Sequence, residues 1–164
     1  MAFKDLQHYI QELAARHDLH RITAGVDPVL EITEIADRMV KSGGPALLFE
    51  RVHGSPYPLA INLFGTRERT CRALGVESLD EIAARISSFI PGAAPASLSD
   101  KVKLLWHLKD LSGFQPKPVR SGPAQQVVEQ PGDLRTLPVL QCWPGDAGRF
   151  ITLPLVITKH PETG

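Results

Sequence analysis

The amino-acid sequence predicts an α+β fold, with a small α/β domain first, a helical linker next, and the opening strands of a β domain last. Two observations support this order. In the first part of the chain, apolar residues recur at helical spacing and alternate with short apolar runs. From residue 115 onward, short β-type runs alternate with turn-forming Pro, Gly and Asp. The predicted divisions are 1–90 for the α/β domain, 91–114 for the linker and its helix, and 115–164 for a truncated β domain.

The first two helices are predicted from apolar stripes with a repeat of about 3.6 residues. The first stripe ends near His17 and consists of Phe3, Leu6, Ile10, Leu13 and Ala14. The second helix is expected to open at Pro28, because Asp27 can cap it and proline is tolerated at the first helical position. Its core-facing stripe consists of Ile32, Ile35, Ala36, Met39 and Val40.

Two further helices follow from capping patterns. Thr66 can cap a helix that runs through Ala73. Ser78 and Glu81 form a capping box, in which each side chain satisfies a backbone N–H at the start of the next helix. The linker begins with a stretch rich in Pro, Ala and Ser, and it contains a helical pattern over 100–111.

Strands are predicted where apolar or β-branched runs are bounded by turn residues. The α/β domain has two of them, at 46–49 and 58–64. The β domain has three, at 124–130, 134–143 and 150–160. Three strands are too few to close a barrel, so the last one is expected to have an unpaired edge.

Composition excludes several classes of function. The chain has 18 basic and 18 acidic residues and a formal net charge of zero. Nucleic acid is therefore not an expected partner, since phosphate binding normally leaves a basic patch. The first residues carry charges at regular intervals, which argues against a signal peptide or a membrane span and predicts a cytoplasmic protein.

For most residues that could act in catalysis or metal binding, a structural role is favoured over a functional one. Six histidines lack metal-ligand spacing, namely His8, His17, His20, His53, His107 and His160. Five carboxylates occupy solvent-facing helical positions rather than an apolar pocket, namely Glu31, Glu34, Asp37, Asp80 and Glu81. Cys71 and Cys142 lie far apart and are expected to be structural thiols.

Two segments leave alternatives open. NLFGTRERT, at 62–70, either holds an anion at a helix start or is simply a helix cap, and Arg67 and Arg69 are assigned the structural role. QCWPGDAGRFITLP, at 141–154, is either a packed turn with Trp143 as its aromatic anchor or the wall of a pocket. The sequence contains no G-x-S-x-G, Walker A or G-x-G-x-x-G motif, so hydrolase and nucleotide-binding functions lack their usual anchor.

Whole phrases of the sequence resemble the N-terminal part of the UbiD family of decarboxylases. In family order, from about Asp27 to Gly164, they are VDPVLEITEIADRMVKSGGPALLFERV, NLFGTRER with the following LG, RSGPAQQVV, GDLRTLPVLQCWPGDAGRFIT and PLVITKHPETG. For the truncated β domain, the resemblance implies the start of a split β-barrel of flavin-reductase-like fold that binds prenylated FMN.

The resemblance also implies an activity. It implies a non-oxidative decarboxylase that uses prenylated FMN, a divalent metal, usually Mn²⁺, and K⁺ beside the cofactor phosphate. The implied substrate is an aromatic or unsaturated carboxylic acid, and in the closest branch it is a 4-hydroxy-3-polyprenylbenzoate of ubiquinone biosynthesis. The full-length family members usually form homo-oligomers, and peripheral association with a membrane is left open.

Only two functional positions of the family are implied within this chain. Thr152 and Leu153 are similar to family residues on the cofactor-facing strand. In the family, an Asn metal ligand and a catalytic Arg follow the turn at 161–164, and the other ligands and the proton donor lie further along. No catalytic or metal residue is therefore assigned, and the chain alone is expected to be inactive and to bind none of these cofactors.

Two other functions stay open on the sequence. The first is a non-catalytic binding or assembly module that reuses the N-terminal domain of the family. The second is a flavin-reductase-like protein, which rests on fold analogy alone because no motif of its own is present.

Overall fold

The structure is a computed structural model, and the residues it describes are 3–89, 109, 113 and 118–164. The chain divides into two compact units, one formed by Met1–Ala73 with Asp133–Gly164 and the other by Leu74–Gly132. Apart from residue 109, the predicted helix at 100–111 lies outside the described residues, as does nearly all of the predicted linker. The predicted domain boundaries stay predictions.

A three-stranded mixed sheet forms the centre of the first unit. Its strands are β1 (Leu19–Val26), β2 (Ala46–Val52) and β3 (Leu59–Ile61), in the spatial order β1-β2-β3. β1 pairs with β2 in parallel, and β2 pairs with β3 antiparallel. A parallel pair needs a long crossover, which is provided here by helix α2 (Glu31–Lys41). β1 is a strand that the sequence analysis missed, because most of its residues are exposed and it lacks an apolar run.

β2 is the central strand, and it is buried on both faces. Leu47 and Phe49 belong to a core cluster with Ile32 of α2. Ala46 belongs to a second cluster with Tyr9 and Leu13. Since neighbouring residues of a strand point to opposite faces, one apolar run supplies both layers of the core.

Helix α1 (Leu6–Ala15) packs through a narrower face than its sequence predicts. Leu13 is fully buried, whereas Leu6 is exposed, and Tyr9 takes the central position that the predicted stripe omits. The Tyr9 hydroxyl lies 3.0 Å from the carbonyl oxygens of both Leu63 and Arg69, so the polar end of this buried side chain is satisfied. The helix ends at Ala15, two residues before the predicted position near His17.

Helix α2 begins at Glu31 rather than at the predicted Pro28. The residues before Glu31 form a turn instead: the Val29 amide donates to Asp27 Oδ1 at 2.7 Å, and Leu30 adopts a φ of 67°, which no helix can include. The Leu30 amide instead donates to the Gln141 carbonyl at 3.0 Å, so this turn is tied to the C-terminal segment. Within the predicted stripe, Ile32 and Ala36 are buried, whereas Val40 is 48% exposed, so its assignment to the core was wrong.

The NLFG turn connects β3 to helix α3 (Arg67–Leu74). Asn62 has a φ of 61°, and its side-chain amide donates to the carbonyls of Gly44 and Pro45 at 3.3 and 2.9 Å. A Cβ on Gly65 would lie 1.6 Å from Asn62 Oδ1, so only glycine fits there. The predicted cap of α3 is present, since Thr66 Oγ1 accepts from the Arg69 amide at 3.2 Å.

Arg69 is the only charged side chain among the described residues that is buried, at 2% exposure. Its Nη1 donates to Asp18 Oδ1 at 2.7 Å, and its Nη2 donates to the Gly44 carbonyl at 3.0 Å. One guanidinium therefore joins α3, the residue before β1 and the turn before β2. The structural role predicted for Arg69 agrees with these contacts.

Helix α4 (Leu79–Phe89) lies in the second unit. Glu81 Oε1 accepts from the amides of Ser78 and Glu77 at 3.0 and 2.9 Å, which is the carboxylate half of the predicted capping box. None of the helices in the described part of the chain has the length and apolar character that crossing a bilayer requires.

The predicted strands at 124–130, 134–143 and 150–160 are not formed. Over 118–164 the structure has two short 3-10 turns, Pro123–Gln125 and Leu134–Thr136, and isolated bridges only. One bridge joins Leu140 to Phe150, and another joins Val29 to Gln141. A β-type run needs a neighbouring strand to pair its backbone N–H and C=O groups. Within the described residues, these runs are paired only through the two isolated bridges.

Replacing Arg69 with Met should lower the free energy of unfolding by about 2–4 kcal/mol, because Asp18 then loses its closest partner. Urea unfolding followed by circular dichroism measures this. The matched control is Arg38→Met, whose exposed pair with Glu34 lies on the surface of α2, and it should leave the midpoint unchanged. Equal effects of the two substitutions would contradict the role given to Arg69.

Replacing Tyr9 with Phe should destabilise the fold by about 1 kcal/mol, since the hydroxyl loses its carbonyl partners. The difference in unfolding free energy between the wild type and Tyr9→Phe should depend on pH. Burial raises the pKa of Tyr9, against an opposing effect of Arg72 and Arg69, so the folded state favours the neutral phenol. The unfolded chain ionises from about pH 10, and wild-type stability should fall above that pH more steeply than that of the variant. Unfolding curves that stay parallel between pH 8 and pH 11 would show that Tyr9 does not contribute this dependence.

Candidate functional site

The turn at 142–146 folds the C-terminal segment back on itself. Asp146 Oδ2 accepts from the amides of Cys142 and Trp143 at 3.1 and 2.8 Å, and the Phe150 amide donates to the Leu140 carbonyl at 2.9 Å. These bonds bring residues 137–140 alongside 150–152. Trp143 is 61% exposed, so it is not the packed anchor that one interpretation of this segment required.

Two adjoining cavities lie along this folded segment. The larger has a volume of about 680 Å³ and the smaller about 280 Å³. Both are lined by Leu137, Val139, Phe150 and Ile151, so they share an apolar wall. The smaller cavity is also lined by the residues of β3, so the sheet forms one of its sides. The alternative of a pocket wall is the one that the geometry of residues 150–151 supports.

The larger cavity also carries positive charge. Arg135 and Arg149 line it together with His53. Arg135 is paired with Asp133, and its hydrogen bonds to that carboxylate hold the pKa of Asp133 below its usual range. No ion pair of Arg149 is found within the described part of the chain. An apolar wall with arginines at its margin is suited to a flat ligand that carries an anionic group.

His53 is positioned by the end of β2. Its amide donates to the Val26 carbonyl at 2.8 Å, which extends the β1–β2 ladder by one bond. A Cβ on Gly25 would lie 2.8 Å from His53 Nε2, so the glycine leaves room for the imidazole at this place. The sheet thus fixes one side of the cavity through backbone contacts.

The two predicted cofactor-binding residues lie next to each other but in different surroundings. Thr152 lines the smaller cavity. Leu153 is 76% exposed and lines neither of the two cavities. Their role toward a cofactor stays a prediction.

The remaining candidates keep their structural interpretation. Glu34 and Asp37 pair with Arg38 and Lys41 on the exposed face of α2. Cys71 and Cys142 are free thiols. Within the described ranges, no three His, Cys, Asp or Glu side chains come together as metal ligands would. Arg67 is exposed and contributes to neither cavity.

Sequence reasoning missed the polar side chains of the larger cavity. His53 was set aside with the scattered histidines, and Arg135 and Arg149 were not singled out. Arg149 had a usable signal, since it directly precedes the apolar run that contains Thr152. His53 had none, because it reaches the cavity only through the pairing of β1 with β2.

Comparison with family models finds two consecutive matches. Residues 10–86 match the 3-octaprenyl-4-hydroxybenzoate carboxy-lyase N-terminal domain. Residues 117–164 match the Rift-related domain of the same carboxy-lyase. Both cavities and both predicted cofactor-binding residues involve the second matched segment.

Similar proteins are found in distant microorganisms. An uncharacterized protein of Archaeoglobus fulgidus is 47% identical over 164 residues, which is 100% of this chain and 34% of that protein. An uncharacterized protein of Aquifex aeolicus is 42% identical over 166 residues, covering 99% of this chain and 34% of its own length. The chain therefore spans about a third of the length of these relatives.

Two solved structures are similar to this chain in fold. An evolved dimeric form of the UbiD-class enzyme HmfF from Pelotomaculum thermopropionicum, in complex with prFMN, is 25% identical with a TM-score of 0.67, over 99% of this chain and 34% of that one. The closed form of the vanillic acid decarboxylase of Sedimentibacter hydroxybenzoicus shares the fold, with a TM-score of 0.62 at 21% identity over 90% of this chain and 29% of that one. The two family models and these structures together establish that the chain belongs to the UbiD family of carboxy-lyases.

Proposed function

We propose that this chain forms part of a non-oxidative decarboxylase that depends on prenylated FMN, and that residues 150–153 supply one wall of the flavin site. The observation that carries the proposal is the pair of apolar cavities along residues 137–152, inside the segment that matches the Rift-related domain. The HmfF structure supports it, since that related enzyme holds prFMN.

The larger cavity has the properties that a flavin would need. Its volume of about 680 Å³ lies within the range of cavities that enclose cofactor-sized molecules. Phe150 and Ile151 offer an apolar surface for an aromatic ring system, and Arg149 offers a charge to an anionic group. Thr152 adds a hydroxyl beside this surface. These residues fit a flavin, and they are the ones that would hold it.

A metal does not fit the described residues in the same way. They contain no group of three carboxylate, thiol or imidazole side chains close together. Mn²⁺ and K⁺ therefore belong to the proposal only as ions that the complete enzyme would bind through other residues, and no step is derived through them.

When bound, prenylated FMN supplies the electron sink that lets an aromatic or unsaturated acid lose its carboxylate as carbon dioxide. The residues of this chain contribute binding and exclusion of water. Leu137, Val139 and Ile151 would keep one side of the flavin dry, which strengthens every polar contact made there. Proton transfer to the product is assigned to residues outside this chain.

An exposed apolar row supports the view that further polypeptide completes the site. Five large apolar residues after Phe150 are exposed, namely Ile151, Leu153, Leu155, Val156 and Ile157. Contiguous exposed apolar surface of this kind marks an interaction site. This chain spans 34% of the Archaeoglobus fulgidus relative, whose remaining residues can cover this apolar row. The completed β domain would be the split barrel.

The finer parts of the proposal follow from the family description. It names 3-octaprenyl-4-hydroxybenzoate, so a 4-hydroxy-3-polyprenylbenzoate of ubiquinone biosynthesis is the proposed substrate. The complete enzyme is proposed to be a cytoplasmic homo-oligomer, consistent with the dimeric form of HmfF, with peripheral membrane association left to experiment.

A chimera tests the activity. Residues 1–164 replace the aligned third of the Archaeoglobus fulgidus protein, and the product is supplied with prenylated FMN and Mn²⁺. We expect the chimera to release carbon dioxide from at least one acid in a panel that includes 4-hydroxy-3-prenylbenzoate. The isolated chain should release none, since it lacks a metal site among its described residues.

The intact Archaeoglobus fulgidus protein is the control for the chimera. Turnover by that protein, together with a folded chimera that binds prenylated FMN and is inactive on every acid, would contradict the decarboxylase proposal. It would favour the non-catalytic binding or assembly module instead. Turnover by the isolated chain would contradict its expected inactivity.

A second test addresses Thr152. In the chimera, Thr152→Trp should reduce the prenylated FMN retained after gel filtration by at least about tenfold, because the indole fills the smaller cavity beside the flavin wall. The matched control is Thr23→Trp on the exposed part of β1, away from both cavities. Flavin absorbance per protein gives the occupancy, and equal retention by the two variants would remove Thr152 from the site.

A further inference from the structure

A further cavity lies where α1 ends and α3 begins. Its volume is about 320 Å³, and its lining is polar. Arg16, Asp18, Thr66, Glu68, Arg69 and Arg72 provide the groups that matter for binding. The decarboxylase proposal uses none of these residues.

Guanidinium groups outnumber carboxylates in the lining of this cavity. Three of them, from Arg16, Arg69 and Arg72, face the carboxylates of Asp18 and Glu68. The carboxylate of Glu12, outside the lining, pairs with Arg16 and offsets its charge, so the guanidinium donors rather than a net charge favour an anion. Among the described residues, Arg72 has one ion-pair partner, at 3.4 Å from its Nη1 to Asp18 Oδ2, which leaves most of its donors available.

The start of α3 adds to this preference. Thr66 lines the cavity and caps the helix through its hydroxyl, so the helix begins at the cavity wall. The N-terminal end of a helix carries partial positive charge and presents backbone amides to an anion. With eight residues, α3 is long enough to have such an end.

An unsatisfied buried donor is the independent observation. Arg69 lines the cavity and is 2% exposed, yet its Nε has no hydrogen-bond partner in the part of the chain that the structure describes. Its Nη1 and Nη2 are both used, by Asp18 and by the Gly44 carbonyl. Leaving a buried guanidinium N–H without an acceptor is costly, and a bound oxygen atom would supply that acceptor.

We propose that this cavity binds a small tetrahedral oxyanion of the phosphate class, either free phosphate or the phosphate group of a monoester. Arginine suits such a ligand, since its planar group of donors matches two oxygens at once. The proposal goes beyond the decarboxylase function and does not depend on it.

Inorganic phosphate is the first probe, titrated into the purified chain by calorimetry at constant ionic strength. We expect saturable binding in the millimolar range or tighter, and a rise of the melting temperature that chloride does not produce. Arg72→Gln should weaken the binding by at least about tenfold, since it removes the guanidinium with the most free donors. The matched control is Arg38→Gln on the exposed face of α2, which should bind phosphate as the wild type does.

Three outcomes would overturn the proposal. They are the absence of saturable binding, an equal loss of binding in Arg38→Gln, and amide shifts in a ¹H–¹⁵N spectrum that spread over the surface without including Thr66 or Glu68. Circular dichroism of Arg72→Gln separates a binding defect from unfolding. Phenyl phosphate distinguishes the two sources of the ligand: tighter binding than inorganic phosphate points to a monoester, and weaker binding points to the free ion.

Discussion

The structure of the first unit depends on the buried guanidinium of Arg69. It is held by Asp18 at 2.7 Å and by the Gly44 carbonyl at 3.0 Å, so it links three chain segments that are distant in sequence. Asp18 directly precedes β1, and Gly44 directly precedes the turn into β2. A charge buried in this way must keep its partners, which constrains where both strands can begin.

The same constraint extends to the candidate site through β3. The backbone carbonyl of Arg69 accepts from Tyr9, and the Asn62 side chain donates to the carbonyls of Gly44 and Pro45. β3 is therefore fixed at its C-terminal end by the same turn that Arg69 contacts. β3 lines the smaller cavity together with Thr152, so the packing around Arg69 helps to fix one side of that cavity.

The elements that were predictable are those whose signal is local. Thr66 caps α3 as predicted, and the apolar run from Ala46 forms the buried strand, because capping and burial each depend on neighbouring residues. β1 was not predictable in this way, since its strand character comes from pairing with β2 rather than from its own pattern. The start of α2 was misplaced because Leu30 bonds to Gln141, more than a hundred residues away.

For the candidate site, the sequence of 141–154 already offered a pocket wall as one of two interpretations. The position of His53 at the larger cavity could not be inferred from the sequence.

Two regions of this unit, the surroundings of Arg69 and Tyr9 and the segment 151–157, differ in how well their side chains are buried. Around Arg69 and Tyr9, the phenol hydroxyl and both Nη groups of the guanidinium have partners, and the apolar side chains of Leu13 and Ala46 are buried. Along 151–157, apolar side chains are exposed, and no strand pairs with them in the described residues. A unit that buries the apolar residues of its sheet and exposes those of another segment can form the sheet before that segment is covered. The exposed residues 151 and 153 belong to the proposed flavin wall, so under that proposal covering this surface and completing the cofactor site would be the same event.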